Sequence, residues 1–142
     1  MISTNKYVYI VNSTNKINCY KVGSTKDPMI RIYQLNTANK DYFKPILIGK
    51  PNTKSAKSLE EIIQFSIRKF SNQYNTLYGN EPFKPDAMIG SKLSKEHFIL
   101  DTEGLNTASK TMATHCCELY GKNYRKLKDD DIKKLLTEGG EA

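Results

Sequence analysis

Tyr7-Val-Tyr-Ile-Val11 is followed, after a polar turn, by Cys19-Tyr-Lys-Val-Gly-Ser-Thr25, then by Asp27-Pro28 and Arg31. Two short strands joined in a hairpin, a glycine at the end of the second and a single arginine one turn into the next helix suit the cleavage of a phosphodiester. Arginine is scarce in this chain. Of 22 basic side chains 19 are lysine and only Arg31, Arg68 and Arg125 are arginine, so a planar five-donor fork stands where its geometry is wanted.

The elements that must position these residues follow from local pattern. Tyr7 to Val11 is β-branched and aromatic and Asn12-Ser-Thr-Asn-Lys16 supplies turn residues, so 6–12 and 18–23 read as a hairpin. Asp27 suits a helix N-cap and Pro28 the first helical position, where its missing N–H costs nothing. That helix carries Met29, Ile30, Ile32, Tyr33 and Leu35 and ends near Asn36 to Asn39. Pro45 to Gly49 forms a third strand. A second helix begins near Ser55 or Ser58 and ends at Phe70, with Leu59, Ile62, Ile63, Ser66, Ile67 and Phe70 as its apolar stripe. Ser58-x-x-Glu61 fits a capping box, which would engage Glu61 locally and leave Glu60 for other work. Residues 71–95 read as a long irregular loop facing substrate, and His97 to Leu100 as a short closing strand. Leu105 to Tyr120 and Leu127 to Leu136 read as helices, and the chain from Glu138 as frayed.

Taken together, these residues resemble the GIY-YIG nuclease superfamily, in the branch met in phages and large DNA viruses. Tyr7-Val-Tyr9 stands where that family has its first motif and Lys21-Val-Gly23 where it has its second. Arg31 follows Gly23 by the family spacing of eight residues. Asp27-Pro28, Gln34-Leu-Asn-Thr37, Leu59-Glu60 and Glu96-His-Phe98 are similar to the same branch, and the resemblance covers residues 6 to about 101. Lys21 replaces a tyrosine common in the superfamily, as it does in that branch. Leu35 stands where many members have His or Tyr, and Gln64 where the branch often has His.

The resemblance implies an α/β (α+β) domain with a three-stranded antiparallel sheet flanked by helices, cleaving DNA with one divalent cation, Mg²⁺ or Mn²⁺. Such chemistry needs a base near water, a metal ligand, a cation on the developing charge and backbone open to phosphate. On that reading Tyr9 is the base, Lys21 and Lys26 are cations, Arg31 grips nonbridging oxygens, and Glu60 is the metal ligand. Gly23 leaves room for the sugar-phosphate backbone, with Ser24 beside it on the DNA. Tyr9, Lys21, Arg31 and Glu60 are expected to converge on one solvent-facing pocket. Plainer readings exist for each: Tyr7 and Tyr9 as cross-strand packing, Arg31 as a snorkelling side chain, Gly23 as a turn residue.

The chain is long enough for one domain (1–101) with a short helical C-terminal extension (102–142). Its net charge of +7 lies wholly in the first part, where 15 Lys or Arg face 8 Asp or Glu, while residues 102–142 hold seven of each. That asymmetry favours DNA as partner for 1–101; a lysine- and asparagine-rich composition from codon usage alone is the competing explanation. No apolar run reaches the eighteen or so residues of a membrane span, and the five-residue run after Lys6 is too short for a leader, so no membrane partner and a cytosolic location are expected. Three cysteines and two histidines give neither a disulfide framework nor a zinc spacing. Two function classes follow: a metal-dependent endonuclease, or a catalytically weak DNA-binding or packaging protein that keeps the fold. Whether the active unit is a homodimer stays open. Thr111, Met112, His115, Cys116, Leu119 and Tyr120 form either a protein-partner face or a face packed onto 1–101.

Overall fold

The computed structural model describes residues 5–13, 18–38, 43–78 and 97–137. In order these form β1 (Tyr7–Ser13), β2 (Cys19–Thr25), α1 (Pro28–Ala38), β3 (Phe43–Pro51), α2 (Ala56–Tyr78), β4 (His97–Ile99), α3 (Thr102–His115), β5 (Cys116–Tyr120) and α4 (Asp129–Thr137). The sheet has five strands in the order β4-β2-β1-β3-β5, and each neighbouring pair is antiparallel. The α+β class is as expected. The three-stranded sheet is corrected: β4 extends it beyond β2, and β5 beyond β3.

β5 also corrects the reading of Leu105 to Tyr120 as one helix and of the extension as purely helical. Cys116 leaves the helix with φ −112° and ψ 137°; Cys116 and Leu119 are inside and Cys117 outside, because a register shift between Lys50 and Pro51 skips Cys117 in the pairing with β3. Met112, Cys116 and Leu119 satisfy a helical stripe as well as a helix-to-strand break, so spacing alone misreads them. The free edge of β3 decides the matter. Gly49 is what lets this layer close, since a Cβ there would meet Cys116 Sγ at 2.5 Å and Met112 Cε at 2.8 Å. Met112 and Leu119 are fully buried, so this face packs inward.

α2 runs to Tyr78, two turns past the expected end. Residues 71–78 hold no Gly or Pro, and the first breaker is Gly79. The rest of the expected loop, the hairpin turn at 14–17 and the tail from 138 lie outside the described residues.

The sheet separates two cores by strand alternation. Val8, Ile10, Val22 and Leu47 face α2, α3 and α4, meeting Leu59, Ile63, Ile67, Met112 and Leu135. Tyr9, Val11, Phe43 and Ile48 face α1, meeting Ile32 and Leu35. A register shift between Ile10 and Val11 accommodates both sets. Each fully buried aliphatic side chain contributes roughly 1.5–3 kcal/mol, so both helix layers are anchored. Among the described residues no helix is long and apolar enough to cross a membrane.

Candidate functional site

Local rules place α1 as the sequence implies. Asp27 Oδ1 accepts from the backbone N–H of Met29 (3.1 Å) and Ile30 (3.2 Å), so Asp27 is the N-cap and Pro28 the first helical residue. Arg31 follows one turn later, half-buried, on the helix that covers the Tyr9 face. Among the described residues its guanidinium has no hydrogen-bond or ion-pair partner.

Tyr9 pairs with Gly23 across β1 and β2, and Val11 with Lys21. Tyr9, Lys21 and Gly23 therefore share the α1 face. Tyr9 lies so closely over Gly23 that a Cβ there would stand 2.5 Å from Tyr9 Cζ and closer still to its hydroxyl. The missing side chain thus accommodates the phenol, a role additional to the backbone access expected of Gly23. Ser24 Oγ accepts from Asn5 Nδ2 at 3.0 Å, and Lys26 is exposed just before the α1 cap.

Glu60 projects from α2, the helix on the opposite face, yet its carboxylate is tied to β2. Gln64 Nε2 donates both to Glu60 Oε2 (3.2 Å) and to the backbone carbonyl of Val22 (3.0 Å). Val22 lies between Lys21 and Gly23, so two hydrogen bonds connect the carboxylate to the strand that carries both. Among the described residues β4 pairs with β2 from Cys19 to Lys21. Lys57 Nζ also meets Glu60 Oε2, at 3.2 Å. Both contacts fall on Oε2, and among the described residues Oε1 accepts no bond although Glu60 is only 2% exposed.

The capping-box expectation fails. Ser58 N–H donates to Ser55 Oγ at 3.1 Å, so Ser55 caps α2, Ser58 lies inside the first turn and Glu61 is simply exposed. Nor do the four expected residues converge on one solvent-facing pocket: Tyr9, Lys21 and Glu60 are each at most 4% exposed, and Glu60 stands on α2, across the sheet from the face that carries Tyr9 and α1 with Arg31. The structure brings Tyr9 to Gly23 and Glu60 to the Lys21–Gly23 backbone, and leaves Arg31 half-buried on α1.

Sequence reasoning treated Gln64 only as a departure from a family pattern and missed its linking role. The signal was its four-residue spacing from Glu60, which puts both on one helix face. It also missed an open groove of about 750 Å³ on the α1 face, lined among others by Lys6, Tyr7, Lys26, Tyr120 and Tyr124. Of the expected site residues only Lys26 reaches it. Tyr120 donates to Glu118 Oε1 at 3.1 Å. Burial first, and then that bond, raise its pKa above the ordinary phenol value.

Among the described residues no three His, Cys, Asp or Glu side chains gather as a metal cluster. A hard cation that keeps most of its waters needs only one or two carboxylates, and Glu60, buried and with Oε1 accepting no bond among the described residues, fits that need. The model of the T5orf172 domain matches residues 6–115. No curated protein and no solved structure matches the chain.

Proposed function

The chain belongs to the T5orf172 domain family, phage-associated and similar to GIY-YIG-like nuclease folds, and from that premise we propose that it is a Mg²⁺- or Mn²⁺-dependent DNA endonuclease. The family points to a nuclease or DNA-related role; the finer reading rests on one observation. A buried carboxylate, Glu60, is coupled through Gln64 to the backbone between Lys21 and Gly23, with one oxygen free of protein bonds among the described residues.

On this reading Glu60 holds the cation, which when bound supplies Lewis-acid polarisation of the scissile phosphate and an acidified water. Gln64 fixes the carboxylate by holding Oε2, leaving Oε1 for the ligand. Lys57 on the same oxygen limits the net negative charge next to a phosphate. Arg31, without a protein partner among the described residues, offers paired donors for nonbridging oxygens. Lys21, on the strand beside Tyr9, sets a positive charge on the same sheet face. Tyr9 acts as base only as the phenolate: its oxygen beside Gly23 takes the proton of the attacking water as the water oxygen bonds phosphorus and the scissile P–O bond breaks, which requires DNA binding to uncover a ring that is 1% exposed.

The alternative, DNA binding without cleavage, draws on a specific observation as well. Glu60 sits on the helix opposite the Tyr9 face and already carries Lys57. Purified protein incubated with supercoiled plasmid decides between them: nicking with Mg²⁺ that EDTA abolishes supports the endonuclease. Retarded but intact plasmid under both conditions supports the binding protein.

A further inference from the structure

The groove on the α1 face lies beside the candidate site but shares only Lys26 with it. Its floor is Ile48, and Tyr7, Tyr120 and Tyr124 line it with Lys6 and Lys26. Register explains the grouping: Ile48 pairs with Tyr9 on one side and Tyr120 on the other, and Tyr7 lies two residues before Tyr9. All three tyrosines pack against the cluster that contains Tyr9. Tyr124 is held at φ 60°, in the left-handed region that Gly and Asn fill more readily. Backbone bonds from Tyr124 N–H to Gly121 O (2.9 Å) and from Gly121 N–H to Arg125 O (2.9 Å) fix that turn. A bulky ring at such a backbone position is uncommon, and such outliers cluster at functional sites.

Charge selects the occupant. The one acid among the described lining residues, Asp27, already accepts two backbone N–H bonds as the α1 cap. Nearby Glu118 is engaged by the Tyr120 hydroxyl and by Lys50 and Lys126. Among the described lining residues Lys6 and Lys26 are left as the dominant charges beside three tyrosine side chains. Flat rings flanked by cations suit a ligand that is itself flat and anionic, and about 750 Å³ falls in the ordinary range for sites that enclose a small molecule.

We propose that this groove receives an unpaired base of a bound DNA strand, stacked on the tyrosines with its phosphate between Lys6 and Lys26. The inference rests on the DNA-acting reading above and supplies a substrate preference: DNA with a gap, a flap or a displaced nucleotide. Tyr7 and Tyr9 are about 7 Å apart along β1, so an extruded base lies within a nucleotide or two of the strand segment at the candidate site.

The test uses the full chain in EDTA with two probes, a DNA duplex carrying a short single-stranded gap that contains 2-aminopurine and the same duplex with the gap filled. The gapped probe should bind more tightly, and its fluorescence should be quenched on binding. Tyr124→Asn, which tolerates the positive φ, should weaken binding to the gapped probe by between about fivefold and a hundredfold and bring the ratio of the two affinities toward one. Tyr124→Phe should retain the preference. Should Tyr124→Asn lack a cooperative thermal transition, Tyr7→Leu makes the same test from the strand side. Equal affinity of the wild type for both probes without quenching, or a folded Tyr124→Asn with an unchanged ratio, overturns the base site, and plasmid nicking that persists keeps the endonuclease reading intact. Binding to neither probe overturns both.

Discussion

An alanine at position 23 would put its Cβ 2.5 Å from Tyr9 Cζ, a separation that forces the ring or the strand to move. Gly23→Ala is therefore expected to lower stability by about 1–3 kcal/mol, measured by urea unfolding. In a Tyr9→Leu background the same change should cost less, with a coupling of at least about 0.5 kcal/mol; strict additivity would mean that the phenol is not what the glycine accommodates. Gln64 has an analogous role on the other face. Gln64→Leu removes the donor from both Glu60 and the Val22 carbonyl and should cost about 1–3 kcal/mol, whereas a change under 0.5 kcal/mol would show the link to be dispensable. Residue-level features were legible where their cause is local: Asp27 and Pro28 announce the start of α1 through the chemistry of capping. For Gln64 the four-residue spacing signals only the bond to Glu60; the Val22 carbonyl lies 42 residues away, and no local rule selects that pairing.

Among the elements, β1, β2, α1 and β3 were readable because period and punctuation agree within each. β5 was not. Met112, Cys116 and Leu119 fit a helical stripe, and only the unpaired edge of β3, supplied by a segment more than sixty residues earlier, turns Cys116–Tyr120 into a strand. The irregular register at the start of β5 makes a chemical prediction. Cys116 is buried, and burial first, then the neighbouring Cys117, push its thiol up to about 12. At pH 8 it should hold its proton and resist iodoacetamide, while exposed Cys117 is alkylated in the native protein. The linkage has a definite sign. Between the ordinary thiol value of 9.0 and about 12 the folded chain keeps a proton that the unfolded chain has released, so Cys116 makes stability fall as pH rises through that window. Peptide mapping that finds Cys116 modified as readily as Cys117 would return residues 116–120 to a solvent-facing helix.

For the whole molecule, the charge distribution and the class of fold were visible from composition and pattern, and the depth of the site was not. Tyr9, Lys21 and Glu60 read as an open constellation because sequence spacing reports order along the chain but not cover, and α1 and α2 supply that cover. The +7 net charge predicts that DNA affinity falls steeply with salt, log affinity declining linearly with log salt by about 0.9 for each phosphate neutralised; a flat profile between about 50 and 200 mM salt would remove the electrostatic account of binding. Cleavage itself turns on one side chain. The most direct measurement compares plasmid nicking with Mg²⁺ by wild type, Glu60→Gln and Glu61→Gln, each alongside DNA affinity in EDTA. Glu60→Gln preserves size and the bond network while removing the charge a hard cation requires, so nicking should drop by two orders of magnitude or more with affinity held or raised. Glu61→Gln, exposed and outside any cap, should change stability by no more than about 0.5 kcal/mol and leave nicking near wild type. Nicking that survives Glu60→Gln, or fails only in Glu61→Gln, would contradict the assignment of Glu60 as the metal-binding carboxylate.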